Sequence, residues 1–533
     1  MIENKIRGVE QELAMNTRPP LPHGSLVHLV GMAIEELKKE GLVTNIRVEE
    51  PRLDYLALNG FRVYNDMSHL ELSTPSYNTP LEAVVYDKVA ELFAYYAVRN
   101  LRQHFKEINV YKNNISNIRK GPEEWSAVSY STHSSIIMDR TTCNLEIWNR
   151  VEEALIPYMV VRIPLIGSGD LVPVRKDGSI RHRGKELTGD KLRFVISPRA
   201  FFIRKLSSND TIEARGLLNQ RDDPHADPNR YWRLHDINWE GLRSPFQIYL
   251  RDILEILVMM AYEEGFLRNP PVLEDPISAI KEVSGDTEAC EWKITMQGGK
   301  KVDPIAEILE GFYLAGVEEM ISSGDPSPVD RLAFKFLDAT VQVLNERRLE
   351  YLLDGIDWIT KKMIIEEYAS NDLNDALGIC NQYALIDGTV LGYLGEDLND
   401  DEKETTFNLE RSIEFARDAI PTVDWGSLTI LIRKALKRGP EDTREYIRCL
   451  AAREFPFLLN SVEWEIINFH SASINLEEPF KFNKTMCGEV LEASTENLAS
   501  FLQAVAQIEV HGESVLHVPS KDHEMLDEDR KEV

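Results

Sequence analysis

Polar and apolar residues alternate along 5–15, the period of a strand with one buried face, with Gly8 as the one weak position. Between 25 and 39 the apolar residues fall at helical spacing, and Gly41 follows as a C-cap candidate. The pattern then predicts strand–turn–strand over 55–72, a long amphipathic helix over 81–106 and a short strand over 108–111. Further strands are predicted over 128–138, 158–165 and 194–203. The Gly-, Lys- and Arg-rich stretch 170–191 reads as an exposed hairpin or loop. From 244 onward helical spacing dominates, over 245–265, 304–322, 328–346 and 349–368. An acidic linker over 397–404, a helix over 440–453, a strand over 462–469 and a last helix over 485–508 complete the pattern. The residues from 520 are charged and predict a disordered tail.

The bulk numbers narrow the function classes. The chain has 533 residues, 43% hydrophobic and 28% charged, enough to bury a core without disulfides or metals. Its net charge of −28 argues against nucleic acid and anionic membranes as partners, since both need a basic surface. The five cysteines, at 143, 290, 380, 449 and 487, are odd in number and form no C-x-x-C pair, as expected of reduced thiols in a cytoplasmic protein. The N-terminus carries no signal-peptide stretch, and the most apolar helix candidate, 253–262, is too short to span a bilayer. No P-loop, G-x-G-x-x-G, H-E-x-x-H or G-x-S-x-G motif occurs.

Three segments carry candidate chemistry. In Asn59-Gly60-Phe61-Arg62-Val63-Tyr64-Asn65-Asp66, strand geometry puts Arg62, Tyr64 and Asp66 on one face and Phe61 and Val63 on the other. An arginine, a phenol and a carboxylate on one face suit a polar cleft, although spacing alone favours an ordinary exposed strand. Glu10 and Glu12 also share a face; two such carboxylates repel unless a cation lies between them, and magnesium takes such ligands. A pair of solvated glutamates fits the same spacing. The segment Asn219 to His235 packs Arg221, Arg230 and Arg233 among three aspartates with His225 and His235, shaped by Pro224 and Pro228, and suits a catalytic loop as well as a solvated turn.

Together these segments resemble the ligase and depupylase of the prokaryotic ubiquitin-like protein Pup, within the glutamine-synthetase-like carboxylate–amine ligases. Gly8-Val9-Glu10-Gln11-Glu12 is similar to the family's G-I-E-T-E strand. Asn59 to Asp66, with His69, Glu71 and Ser73-Thr74-Pro75, is similar to N-G-A-R-L-Y-x-D…H-P-E-Y-[AS]-[TA]-P. Tyr111-Lys112-Asn113-Asn114, Asn219 to Asp227 and Tyr231 to His235 resemble further motifs. Weaker matches occur at Ala279 to Ser284, Ile356 to Trp358, Asp442 to Arg444 and Val462 to Trp464, in the family's order over nearly the whole chain.

The resemblance implies an α+β fold. A curved antiparallel sheet lines the cleft, helices pack behind it, and a smaller C-terminal domain follows. The implied division is 1–435 catalytic, 436–519 small domain and 520–533 tail. It implies ATP and magnesium as cofactors, with Glu10, Tyr64 and Glu71 holding the metal, Arg62, Thr74 and Trp464 contacting ATP, and Asp66 as the catalytic carboxylate. Glu12, His133, Arg221, His225 and Arg233 are candidate phosphate or substrate contacts. The implied partners are a carboxylate donor, whether a Pup-like protein, a peptide or a small acid, and an amine acceptor. Departures sit beside the reaction centre: Ser134 and Ser135 replace a Glu-Asn pair, Pro198 stands in an S-Q-R motif, and Asp223 and Leu70 replace Glu and Pro.

In the ligase reading, a glutamate γ-carboxylate is phosphorylated and an amine attacks the acyl phosphate with Asp66 as base. In the depupylase reading, the same site hydrolyses an isopeptide or a glutamine amide. Depupylases of the family carry a long insertion between the first acidic strand and the N-G-x-R strand; here that interval holds one helix and a short connection, which favours the ligase. The short Asp66-to-Glu71 spacing, Gly167-Ser168-Gly169 and the C-terminal segment point the other way. A ligase of a small acid unrelated to Pup, or a non-catalytic binding homologue, are the remaining alternatives. Retention of Glu10, Arg62, Asp66, Glu71 and His225 argues against the last. A basic cluster of Arg175, Lys176, Arg181, Arg183 and Lys185 is a candidate groove for an acidic partner or a solvated hairpin.

Overall fold

Alternating polarity builds the centre of the molecule, a curled sheet of twelve strands. They are β1 Arg7–Arg18, β2 Val43–Arg47, β3 Asp54–Ala57, β4 Arg62–Asp66, β5 His69–Ser73, β6 Glu107–Tyr111, β7 Thr132–Asp139, β8 Tyr231–Trp239, β9 Leu459–Val462, β10 Ile466–Phe469, β11 Ser473–Asn475 and β12 Leu516–His517. The computed structural model describes residues 1–48, 53–369, 372–386 and 411–518; the acidic stretch 397–404 and the charged tail from 520 lie outside these. The strand order is β8-β7-β1-β5-β4-β3-β2-β9-β10-β11-β12, with β6 paired to the far end of β1. Every pairing is antiparallel except β2 with β9.

Residues of β1 alternate between buried and half-buried along 7–14, so one face packs on helices and the other lines a cleft. Behind the sheet lie α1 His23–Lys39, α2 Pro80–Arg99, α3 Trp148–Val161 and α4 Pro245–Glu263. Phe61, on the back face just before β4, meets Tyr86 and Phe93 of α2 at ring distances of 6.1 and 5.2 Å. A second apolar cluster gathers Ile46 and Leu56 with α5 Glu445–Glu454, β9 to β11 and two further helices. The turn that starts β4 is held against this region: Asn59 Nδ2 donates to Ala435 O at 2.8 Å. Gly60, at φ +89°, leaves no room for a Cβ beside Glu445.

Several expected elements differ. Residues 158–165 are helical, ending α3 and forming a short turn Ile163–Ile166, not a strand. An apolar run broken only by Arg162, which is buried against Asp236, fits a buried helix as well as a buried strand, and its valines misled. The 81–106 helix ends at Arg99 and is buried on most faces rather than amphipathic, because it is covered by the sheet, α1 and α4. The 128–138 strand is two, broken at Tyr130 and Ser131, and the 55–72 segment is three strands rather than two. In 170–191 the part Asp170–Val174 is a buried strand; the hairpin that follows is exposed at Arg181–Arg183, while its second strand Glu186–Gly189 buries Leu187. The 194–203 strand ends at Val195 and passes into a short helical turn. The 349–368 helix is interrupted, and its regular part is Asp357–Tyr368. The 462–469 strand is the hairpin β9–β10. The last helix is two, because Asn497 caps a new start by accepting from Ser500 N at 2.9 Å.

Candidate active site

Register across four neighbouring strands assembles the site. Glu10 lies opposite Ser73 on β5 and His133 on β7, and Glu12 lies opposite Glu71. On β4, Arg62 faces Ser73, Tyr64 faces Glu71, and Asp66 faces His69. The β4–β5 hairpin turns through Met67 and Ser68, both at positive φ, the conformation of a tight two-residue turn, and so holds Asp66 and His69 at its tip.

Glu12, Asp66 and Glu71 each offer one carboxylate oxygen, the three lying within 4.8 Å of one another. Tyr64 donates its hydroxyl to Glu71, and Glu12 accepts from Ser131 N at 2.5 Å. Burial and the charges of Glu12 and Glu10 push the Glu71 carboxyl well above its ordinary range. Burial and Glu71 push the Tyr64 phenol up in turn. This all-oxygen donor set, electrostatically costly by itself, fits a hard divalent cation such as magnesium.

Beside it stands a mixed group. Glu10 lies 3.5 Å from His133 Nδ1, 3.5 Å from Arg233 Nη1 and 3.7 Å from His235 Nε2. Burial alone would raise Glu10, but the adjacent histidines and Arg233 hold it well below the usual carboxylate range. Burial and Arg233 lower His235 to about 4, so its imidazole is neutral. Arg62 is held by Asp54, with Nε at 2.9 and 3.0 Å from the two oxygens, and lies 4.7 Å over the Tyr64 ring.

A cleft of about 560 Å³ runs from Glu10 to Trp464, walled by Thr74, His225, Arg233 and Arg444. Thr74 accepts from Val9 N at 3.0 Å, and the Trp464 ring is backed by Arg448 at 4.4 Å. His225, at φ +51°, stands 3.7 Å from Asp223 and 3.6 Å from Glu465, so the 219–227 loop closes onto the C-terminal region. Of the residues singled out in the sequence, Glu10, Thr74, His225, Arg233 and Trp464 line this cleft, and His133 contacts Glu10. Glu12, Tyr64, Asp66 and Glu71 form the adjoining cluster. Arg221 stands apart, exposed and paired with Asp223 at 2.9 Å. Glu10 belongs to the histidine group, whereas Glu12 and Asp66 stand beside Glu71, so two of the three trio members lie outside the ligand set implied by resemblance.

A family model described as Pup-ligase protein matches residues 17–389. The chain belongs to that family. Among its relatives, the depupylase of Acidothermus cellulolyticus is 27% identical over 461 residues, covering 83% of this chain and 82% of that protein. The Pup–protein ligase of Acidimicrobium ferrooxidans is 28% identical over 317 residues, 58% of this chain and 63% of that protein. The solved complex of Pup and its ligase PafA shares the fold, with a TM-score of 0.67 over 96% of both chains at 17% identity. The fold is the one expected: a large curled sheet, antiparallel but for one pairing, with helices behind it.

The site residues Glu10, Glu12, Arg444 and Trp464 lie outside the matched residues 17–389. Sequence reasoning gave no role to His235, Asp54 or Arg444. His235 was readable, since it lies two residues from Arg233 on one strand face. Asp54 and Arg444 join the site only through tertiary packing. Among the described residues no helix is long and apolar enough to cross a membrane.

Proposed function

We propose that the cleft binds a magnesium–nucleotide and that the enzyme joins a carboxylate to an amine beside Asp66, consuming ATP. One observation carries this reading: a cleft with an aromatic wall at Trp464 and arginines along it leads on one strand face into the Glu12–Asp66–Glu71 trio. Trp464 suits a nucleobase, Arg233 and Arg444 suit phosphates, and Thr74 adds a hydroxyl. Glu71, Glu12 and Glu10 are the residues that would hold magnesium, with Tyr64 orienting Glu71. Bound magnesium supplies charge stabilisation for the transferring phosphoryl group. Asp66 takes the proton that the attacking ammonium must lose.

The donor is a carboxylate, with a Pup-like protein as first candidate and a peptide or small acid as the others. Of the basic cluster, Lys176 is paired with Glu123 at 2.5 Å and Arg181 and Arg183 are exposed on a hairpin, so it offers a solvated patch rather than a groove. The synthetic direction is supported by the connection from β1 to β4, which holds α1 and two short strands. A second reading, hydrolysis of an isopeptide or glutamine amide, is favoured by the depupylases, which align over more of the chain than the ligases do. Phosphate release over many turnovers with candidate acids and amines, with mass spectrometry of the products, separates them. One phosphate per new amide is expected; amide cleavage with ATP unspent would replace synthesis by hydrolysis.

A further inference from the structure

Trp464, the aromatic wall of the cleft, stands in the short turn between β9 and β10, which Glu463 N closes by donating to Ile466 O at 2.9 Å. The next residue of that turn, Glu465, is half-buried. Its backbone is fixed: Glu465 O accepts from Leu476 N at 2.7 Å, and Leu476 O accepts from Arg444 Nη1 at 2.9 Å. Its side chain has less to hold it, because Glu465 Oε2 is buried and accepts no hydrogen bond. Among the described residues the one basic group within ion-pair distance of that oxygen is His225 Nδ1, at 3.6 Å. Burial alone would raise the Glu465 carboxyl, but the adjacent His225 and Arg444 hold it below its ordinary value.

A loop anchored on both sides brings His225 to this point. Toward the cleft, Asp223 holds Arg221 at 2.9 Å, and its carbonyl accepts from Arg233 Nε at 2.7 Å. Toward the C-terminal region, Asp227 N donates to Glu477 O at 2.9 Å, and Glu478 takes Arg230 and, at 2.8 Å, the Tyr231 hydroxyl. Between these anchors His225 sits at φ +51°, a region that histidine, asparagine and aspartate enter more readily than other side chains. Its Nδ1 faces two carboxylates, Asp223 at 3.7 Å on its own loop and Glu465 on the facing turn. Asp223 already serves two arginines, whereas Glu465 Oε2 has no other donor.

We infer that His225 is a positioning residue, which holds Glu465 through Nδ1 and so fixes the β9–β10 turn and the Trp464 ring that it carries. An aromatic ring presented on a turn binds a base well only when the turn is already ordered, since ordering it on binding costs affinity. This role rests on the proposed seat of the nucleobase at Trp464, and it makes no use of His225 as a contact to phosphate.

Calorimetry on the full chain with ADP and with pyrophosphate, which has the same diphosphate without the base, separates base contacts from phosphate contacts; magnesium is present in both. Trp464→Ala is expected to weaken ADP about tenfold, in the range of a lost base–aromatic stack, with pyrophosphate unchanged. His225→Asn keeps a residue tolerant of the positive φ but shortens its reach; it should weaken ADP about fivefold and leave pyrophosphate unchanged. Glu465→Ala should do the same from the facing side, and the double variant should be no worse than either alone. Glu465→Gln, which retains an acceptor, should bind ADP nearly as the parent does. If His225→Asn weakens ADP and pyrophosphate equally, His225 serves the phosphates or the loop's own fold, and the positioning role is overturned. If Trp464→Ala weakens ADP while His225→Asn and Glu465→Ala do not, the nucleobase wall stands and the positioning role falls. If Trp464→Ala itself leaves ADP unchanged, the wall falls and the positioning role with it.

Discussion

Two clusters of buried charge lie on opposite faces of β1, and they differ in whether their charges close on one another. Gln11 points backward and donates to Asp87 Oδ2 at 2.9 Å. There Lys112 pairs with Asp87, Lys88 meets Glu91 at 2.7 Å, Lys112 meets Glu91 at 3.1 Å, and Arg243 lies 3.7 Å from Glu91. Glu10 and Glu12, the neighbours of Gln11, point forward into the site. Among the described residues neither Glu12 nor Glu71 has a lysine or arginine within ion-pair distance, and Glu71 is forced above its ordinary range. The closed cluster pairs each carboxylate with cations and ties α2 to the sheet through Gln11. The open one leaves Glu12 and Glu71 without a lysine or arginine partner among the described residues, which suits them to a bound cation. Burial of charge therefore does not by itself mark a functional site; imbalance does.

The sharpest way to separate the two faces is Asp66→Asn on the open side. It should cut turnover roughly a thousandfold, within the range of a lost proton acceptor, while ATP affinity by calorimetry stays near that of the parent. Turnover near normal would remove Asp66 from the reaction.

On the closed side, Lys112→Met should cost about 3 kcal/mol in denaturant unfolding, because it removes the nearest cation from buried Asp87 and one of the three around Glu91, leaving Lys88 to serve both. Adding Asp87→Leu should recover part of that loss. If the single variant is as stable as the parent, the cluster is not what holds α2 in place.

Glu71→Gln tests the converse. Losing a carboxylate that is already costly should leave the apo thermal midpoint equal or slightly higher. The affinity for magnesium–ATP should fall by at least the roughly tenfold that losing even an outer partner costs a metal site. A large drop in apo stability would mean that the open cluster is structural after all.

The smallest effect is the pH dependence. Burial alone would raise Glu91, but Lys88, Arg243 and Lys112 draw it down to about 2. A carboxyl depressed on folding stabilises fully above its unfolded value, and that stability is lost as pH falls toward the folded one. Denaturant midpoints should therefore hold from pH 7 to 5 and decline from about 4.5 toward 2, with Glu91→Gln flattening this part of the decline. A parent and variant falling in parallel below pH 4.5 would exclude Glu91 as the source.

Much of this arrangement is written in the chain's own periodicity. Alternation over 7–14 and 62–66 is a property of extended backbone, and it alone decides that Glu10 and Glu12 share a face, that Arg62, Tyr64 and Asp66 share another, and that Gln11 and Val63 point away. The helix expected from 81 starts at Pro80, where Thr79 and Glu82 form a capping box that the spacing of apolar residues did not reveal. Periodicity says nothing about which strands lie side by side. The run 158–165 could bury itself as helix or strand, and only its neighbours chose. The partners of Glu10 come from β5, β7 and β8, as much as 225 residues away, and register across those strands converts separate acidic and basic residues into one open cluster. Asp54 locking Arg62, Arg444 entering the cleft and His225 reaching the turn that carries Trp464 are likewise decided only in the folded molecule. The chain sets each residue's side of its own strand; long-range hydrogen-bond register, driven by burial of the opposite face against the helices, sets what that residue meets.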